Sequence, residues 1–288
     1  MILRVEDLDA SRVRAGAADG ATEDLRWLGL DWDEGPDRGG PSSPYVQTLR
    51  SDHHDAVLER LKAGERVYPC TCTRAEIARA ASAPHAEDEG PTYPGLCAGR
   101  SATDAVALAG RPFAWRFRVP AGPVAWSDLF RGAIAVDPSA LGGDFLVARE
   151  GQGPSYQLAV VADDAAMGVT QVVRGQDLIP STPRQILLYR ALGWEEPTFG
   201  HLPLVLGPDG RRLAKRDGSI KLSTLREAGV DPRVLVGWLA TSLGWTDRAG
   251  PAGPVDLVAS YSAARVPARP FLLTTGDIAA LIAGRLPA

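Results

Sequence analysis

Between Asp144 and Gly193, short apolar runs alternate with helix-like segments, and this alternation constrains the fold more than any other feature. Phe145-Leu146-Val147-Ala148 is predicted to be a strand, Gln157 to Asp163 a helix, and Val169 to Val173 another strand. Thr182 is predicted to cap a further helix with Pro183 at its first position, where a missing N–H costs nothing. That helix carries Ile186, Leu187, Leu188 and Leu192 and stops at Gly193. Strands interleaved with helices of this length predict an α/β fold with a parallel sheet. Upstream, Ile2-Leu3-Arg4-Val5 reads as a short buried strand. Thr22 reads as a helix cap with Glu23 and Asp24 in the first turn, followed by Leu25, Trp27 and Leu28 before Gly29. Ser51 reads as the cap of a helix carrying Val57, Leu58 and Leu61, closed by Gly64.

The texture changes from Tyr68 to Gly99, where proline and glycine become frequent and all three cysteines appear. Residues 82–92 lack periodicity and read as a loop. Phe113, Trp115, Phe117 and Val119 then alternate with Ala114, Arg116 and Arg118, which predicts a half-buried strand. The expected organisation is a catalytic domain over 1–68, an inserted α/β module over 69–143, the rest of the catalytic domain over 144–206, and a mainly helical unit over 207–288. Within the last unit, residues 246–254 read as a linker and Gly276 to Leu286 as a closing helix.

Three cysteines, an odd number, speak against a disulfide framework. Cys70 and Cys72 stand one residue apart and Cys97 returns after a loop, which suits a four-coordinate metal ion such as zinc. On chemistry alone His85 competes for the fourth place; otherwise it is a loop histidine touching nothing.

Arg211 to Ser219 is the densest run of positive charge. Pro208-Asp209-Gly210 predicts a turn before it and Gly218-Ser219 loosens it afterwards. Nucleotidyl transfer needs such charge where pyrophosphate oxygens gain negative charge. The plainer alternative is a solvated loop. The formal net charge of −4 argues against a nonspecific duplex binder. It leaves room for a local RNA-docking patch at Arg211, Arg212, Lys215, Arg216 and Lys221. With no apolar run of membrane-spanning length and no secretory pattern at the N-terminus, the expectation is a monomeric cytoplasmic protein.

Motifs in one order tie these pieces together. Ile2-Leu3-Arg4-Val5-Glu6-Asp7-Leu8-Asp9, Trp27-Leu28-Gly29-Leu30-Asp31-Trp32-Asp33-Glu34-Gly35, Val173-Arg174-Gly175-Gln176-Asp177-Leu178 and Leu213-Ala214-Lys215-Arg216 together resemble the glutamyl branch of class I aminoacyl-tRNA synthetases. The resemblance runs from residue 1 to about 245. Leu178, where full-length members carry His, and the short C-terminal region are similar to the truncated glutamyl-queuosine tRNA(Asp) synthetase family. The resemblance implies a Rossmann-like parallel sheet, ATP with Mg2+ as substrate, L-glutamate, and tRNA(Asp) bearing queuosine. It implies Lys215 as the catalytic lysine, with Arg212, Leu213, Ala214 and Arg216 along the ATP phosphates. It implies Glu6, Tyr156 and Arg174 as glutamate ligands, and Cys70, Cys72, Tyr93 and Cys97 around a structural zinc.

Residue chemistry agrees with those roles. Arg174 follows a strand at the carboxyl side of a parallel sheet, where a guanidinium can grip a carboxylate through two bonds. Its plainer alternative is a surface ion pair. Glu6 suits the substrate ammonium, or is a solvated carboxylate at a strand end. Tyr156 offers a hydroxyl to the pocket, or is a core tyrosine. The family opens with a strand, a His-x-Gly-His-like loop and a helix. His53, His54, His85 and His201 form no such motif. The expectation is therefore threefold: an upstream start, a trimmed chain, or a noncatalytic tRNA-binding remnant. A truncated glutamyl-tRNA synthetase is the remaining alternative.

Overall fold

The structure, a computed structural model, describes residues 1–9, 13–80, 92–211, 213, 221–247, 250–285 and 287. Arg212, Ala214, Lys215, Arg216 and His85 lie outside the described residues.

Helix α1 spans Ala17–Trp27 with Gly16 at its cap, six residues earlier than a cap at Thr22 suggests. Gly16, at φ 74°, turns the chain in, and the helix formers Ala17 and Ala18 take up its first positions. Thr22 is interior, and its hydroxyl bonds back to the Ala18 carbonyl at 2.9 Å. Helix α2, Ser51–Ala63, closes at Gly64 as expected, but Arg50 rather than Ser51 stands at its cap. Residues 2–5 are extended and only partly buried. They make single parallel bridges, Ile2 to Glu34 and Val5 to Val46, where a buried strand was expected. Neighbours on each side pair with one residue only, so no ladder propagates.

Four strands form an antiparallel sheet in the order β1 (Val67–Cys70), β2 (Ala114–Phe117), β5 (Phe145–Arg149), β6 (Gly153–Pro154). The expected strand at 145–148 therefore exists, but its partner is antiparallel β2. The alternation expected across β2 also fails, because Trp115, Arg116 and Phe117 are all buried. A register shift between Trp115 and Arg116 accompanies this, and Arg116 is covered by Tyr93 and Cys70. Short helix α3, Arg74–Ala80, follows β1. Strands β3 (Val124–Asp128) and β4 (Gly132–Val136) form a separate hairpin.

The parallel unit is β7 (Gln171–Gly175), α5 (Thr182–Leu192) and β8 (Thr198–Leu202), with β7 and β8 in parallel register. Thr182 is the first helical residue and Ser181 precedes it at the cap. The Thr182 hydroxyl faces Arg174 and so does not cap the helix. Helix α4, Tyr156–Ala166, buries every residue from Leu158 to Asp164. Leu61, Val67, Phe117, Val147, Leu158, Ile186 and Leu188 share the main core.

Strand β9 (Val205–Leu206) pairs parallel with β10 (Phe271–Leu272). Around them lie α6 (Leu222–Glu227), α7 (Pro232–Ser242), α8 (Pro254–Leu257) and α9 (Thr275–Ile282). Their core contains Leu225, Val234, Leu235, Trp238 and Leu281, with Trp27 and Leu28 of the α1 region packed on it. Arg226 bonds Asp24 at 3.1 Å and pairs with Glu23, tying α1 to α6. Among the described residues no helix is long and apolar enough to cross a membrane.

Candidate active site and cysteine cluster

Arg174 stands near the carboxyl end of β7, directly opposite His201 on β8. Its Nε donates to His201 Nε2 at 3.1 Å. One terminal nitrogen donates to Gln185 Oε1 at 2.8 Å; the other reaches Thr182 Oγ1 at 2.8 Å and the Leu178 carbonyl at 3.3 Å. Four of its five N–H donors are thus committed to protein acceptors. The Tyr156 hydroxyl also stands against this guanidinium, so a substrate carboxylate meets chiefly its charge unless a bond is exchanged. The grip through two bonds expected from the sequence is not free in this geometry. Burial pulls the Arg174 pKa below its ordinary value, against the opposing influence of Tyr156 and Asp164.

His201 is fully buried and its Nδ1 lies 2.5 Å from Asp128 Oδ2. Asp128 Oδ1 accepts the backbone N–H groups of Phe130, Arg131 and His201, each at 3.1 Å. Burial opposes ionisation of Asp128, but the bonds from His201 and Phe130 outweigh it and hold the carboxyl below its usual range. Burial lowers the His201 pKa more than Asp128 raises it, so the ring is neutral.

Tyr156 opens α4 and is 41% exposed, which removes the core-tyrosine alternative. The protein around its ring raises its pKa, Glu6 adds to the rise, and Arg174 works against it. The phenol therefore lies within electrostatic reach of both an acid and a base. Glu6 is exposed but not free: Arg4 donates to it at 3.0 Å and to Asp164 at 2.6 Å. Behind them Asp163, fully buried, accepts from Gln47 at 2.8 Å and Arg50 at 2.6 Å and lies 2.9 Å from His54. That set ties the N-terminal segment and α2 to α4. Sequence reasoning missed Arg4, Asp128, Asp164, Gln185 and His201. The pairing of β7 with β8 supplies the only signal for His201, 27 residues from Arg174.

A second cluster gathers where β1 ends. The sulfurs of Cys70, Cys72 and Cys97 lie within 4.8 Å of one another. None is in a disulfide. Cys72 and Cys97 are 3.6 Å apart, and the Tyr93 hydroxyl lies 3.4 Å from Cys70 and 4.0 Å from Cys72. The Cys97 N–H donates to that hydroxyl at 2.8 Å. Arg116 donates to Cys70 at 3.3 Å while its guanidinium covers the Tyr93 ring at 3.8 Å. Burial and the neighbouring thiols push the Cys72 thiol up to about 12. Burial also works against the Cys97 thiolate, but the Thr71 N–H, the Cys72 and Tyr93 side chains and Arg100 bring it down to about 7. The grouping can hold a metal ion.

Of the basic loop, only its approach is described. Gly210 turns at φ 73°, the Arg211 carbonyl accepts from Gly207 at 2.8 Å, and Leu213 is 38% exposed.

Comparison with known proteins places the chain in a family. The family described as tRNA synthetases class I (E and Q), catalytic domain, matches residues 1–252. A glutamyl-Q tRNA(Asp) synthetase of Symbiobacterium thermophilum is 50% identical over 286 residues, covering 98% of this chain and 88% of the relative. One from Nitratidesulfovibrio vulgaris is 46% identical over 280 residues, covering 96% and 86%. The crystal structure of a glutamate-tRNA synthetase from Elizabethkingia anophelis matches with a TM-score of 0.80 at 27% identity. That match covers 95% of this chain, which spans only 61% of the larger synthetase. The chain belongs to the class I tRNA synthetase family of ligases, within its glutamyl-Q tRNA(Asp) synthetase branch.

Proposed function

We propose that this protein activates L-glutamate with ATP, without needing tRNA, and transfers the glutamyl group to queuosine in tRNA(Asp). The observation that carries the reading is that Arg174 bonds Gln185, which bonds Gln157 next to Tyr156 at the start of α4, while Arg4 bonds both Glu6 and Asp164 of the same helix. Glutamate brings two carboxylates and one ammonium. Arg174 meets a carboxylate, Glu6 the ammonium, and the neutral Tyr156 hydroxyl bonds either kind of group. In the first step a glutamate carboxylate oxygen attacks the α-phosphorus of ATP and the bond to pyrophosphate breaks. Lys215, with Arg212, Leu213, Ala214 and Arg216 beside it, stabilises the charge gathering on pyrophosphate, which leaves with Mg2+. In the second step a hydroxyl of the queuosine cyclopentenediol attacks the carbonyl and AMP leaves. Arg4 holds the Glu6 carboxylate in place through its bond at 3.0 Å.

Cys70, Cys72, Cys97 and Tyr93 would hold a zinc ion. Two sulfurs each about 2.3 Å from one tetrahedral zinc lie roughly 3.7 Å apart. The Cys72–Cys97 separation of 3.6 Å agrees. When bound, zinc supplies a structural crosslink between the end of β1 and the loop bearing Tyr93 and Cys97. Glutamate-dependent exchange of pyrophosphate into ATP, measured without tRNA, tests the activation step. Exchange driven by another amino acid, or none at all, contradicts it.

A further inference from the structure

We infer that His201 and Asp128 form a positioning pair for Arg174: His201 is an obligate neutral acceptor, and Asp128 decides which ring nitrogen carries the proton. The inference rests on the reading of Arg174 as a glutamate ligand.

The logic is one of donors and acceptors. A guanidinium has no acceptor, so the nitrogen facing Arg174 Nε must present a lone pair. The proton therefore sits on Nδ1, where Asp128 Oδ2 accepts it. Three backbone N–H groups hold the other Asp128 oxygen, so the carboxylate cannot rotate away without losing them. The chain of bonds runs from the end of β3 through β8 to β7 and ends on the guanidinium. The groups facing His201 are Asp128 from β3, Arg174 from β7, Thr182 from α5 at 3.1 Å, and Arg131, whose Nε reaches the His201 carbonyl at 3.1 Å. With one acid and two cations around it, a protonated ring would add a positive charge and turn a donor towards the Arg174 Nε–H. Arg131 also donates to Gln176 at 2.6 Å and to the Ala268 carbonyl at 2.5 Å. The β3–β4 hairpin is thereby fastened beside the same site.

Three variants separate positioning from bulk. His201→Phe keeps a ring but leaves the Arg174 Nε–H without an acceptor. His201→Gln places a carbonyl oxygen where Nε2 stood. Asp128→Asn offers an amide donor to Nδ1 and drives the proton to Nε2, against Arg174. Glutamate affinity is read by calorimetry, beside the glutamate and ATP KM values in pyrophosphate exchange, with melting curves to establish folding. A guanidinium left without its Nε acceptor is no longer held in one orientation towards the glutamate carboxylate. H201F and D128N should therefore weaken glutamate binding about tenfold or more, and H201Q about threefold or less. The change should fall on the glutamate KM rather than on the ATP KM. Unchanged glutamate binding in D128N or H201F overturns the inference. Equal losses in H201F and H201Q also overturn it, because they assign His201 a merely structural role. If H201F does not fold, D128N against H201Q carries the same comparison. An unaltered chain that binds no glutamate overturns the parent reading and this inference together.

Discussion

The two clusters solve the problem of burying polar atoms in opposite ways. Around Arg174 four of the five N–H donors meet acceptors drawn from the fold itself: His201, Gln185, Thr182 and the Leu178 carbonyl. Around Cys97 the polar atoms mainly face one another, with three sulfurs and a phenol crowded together and the Arg116 and Arg100 guanidinium groups at the edge. Burial, then the bonds and charge of the neighbouring thiols, drive the Cys72 thiol up to about 12. The first cluster is pre-organised by its own hydrogen bonds. The second has the spacing of a group that could hold a metal ion, and binding one would bring its thiols to thiolates together. Preorganised sites tolerate an empty pocket, whereas metal clusters couple occupancy to folding.

That contrast breaks most visibly at the cysteines. Strong chelation, or Cys97→Ser, should remove about one zinc per chain and lower the melting temperature by several degrees or more. Metal analysis with calorimetry reads both, and a metal-free chain of equal stability contradicts the contrast. The next largest effect is expected at Asp163, fully buried with Gln47, Arg50 and His54 upon it. Asp163→Ala strands a buried guanidinium and should cost about 3–5 kcal/mol in denaturant unfolding. A loss below about 1 kcal/mol would show that Arg50 finds water or another acceptor.

Arg174→Ala should raise the glutamate KM roughly a hundredfold, the scale of a lost charge-assisted bond. Tyr156→Phe should raise it only about threefold to tenfold, because the hydroxyl is half-exposed and water replaces it. Equal effects of the two variants would contradict the ranking of a committed cation above a wet hydroxyl. The smallest effect concerns pH. An unfolded histidine takes up its proton near pH ~6.5, while the buried His201 ring resists protonation. Its contribution to stability is therefore whole above that pH and declines as pH falls toward the lower folded value. Melting temperatures measured down through that window should fall less steeply in His201→Gln than in the unaltered chain.

The same contrast explains what the sequence made legible. Cys70, Cys72, Tyr93 and Cys97 lie within 28 positions, so local spacing announces the cluster. Helix ends at Gly64 and Gly193 were legible for the same reason, since a glycine closes each within one turn. The Arg174 surroundings depend on pairings between distant segments: Asp128 with His201, and Arg4 with Asp164. No periodicity in β3 or β8 signals those bonds. The extended segment 2–5 misled because apolar content suggested a strand, while tertiary neighbours gave it only single bridges. Arg116 misled in the opposite sense: alternation put it in solvent, and the sulfur cluster buried it. Charge density suggested a phosphate-binding role for the basic loop and the resemblance named Lys215, which lies outside the described residues.

Transfer of radiolabelled glutamate tests the central claim most directly. Purified protein, ATP and Mg2+ are incubated with tRNA(Asp) carrying queuosine, with tRNA(Asp) lacking it, and with tRNA(Glu). The account predicts alkali-labile glutamate on the queuosine-bearing tRNA(Asp) alone. Glutamate on tRNA(Glu), or on none of the three, contradicts it.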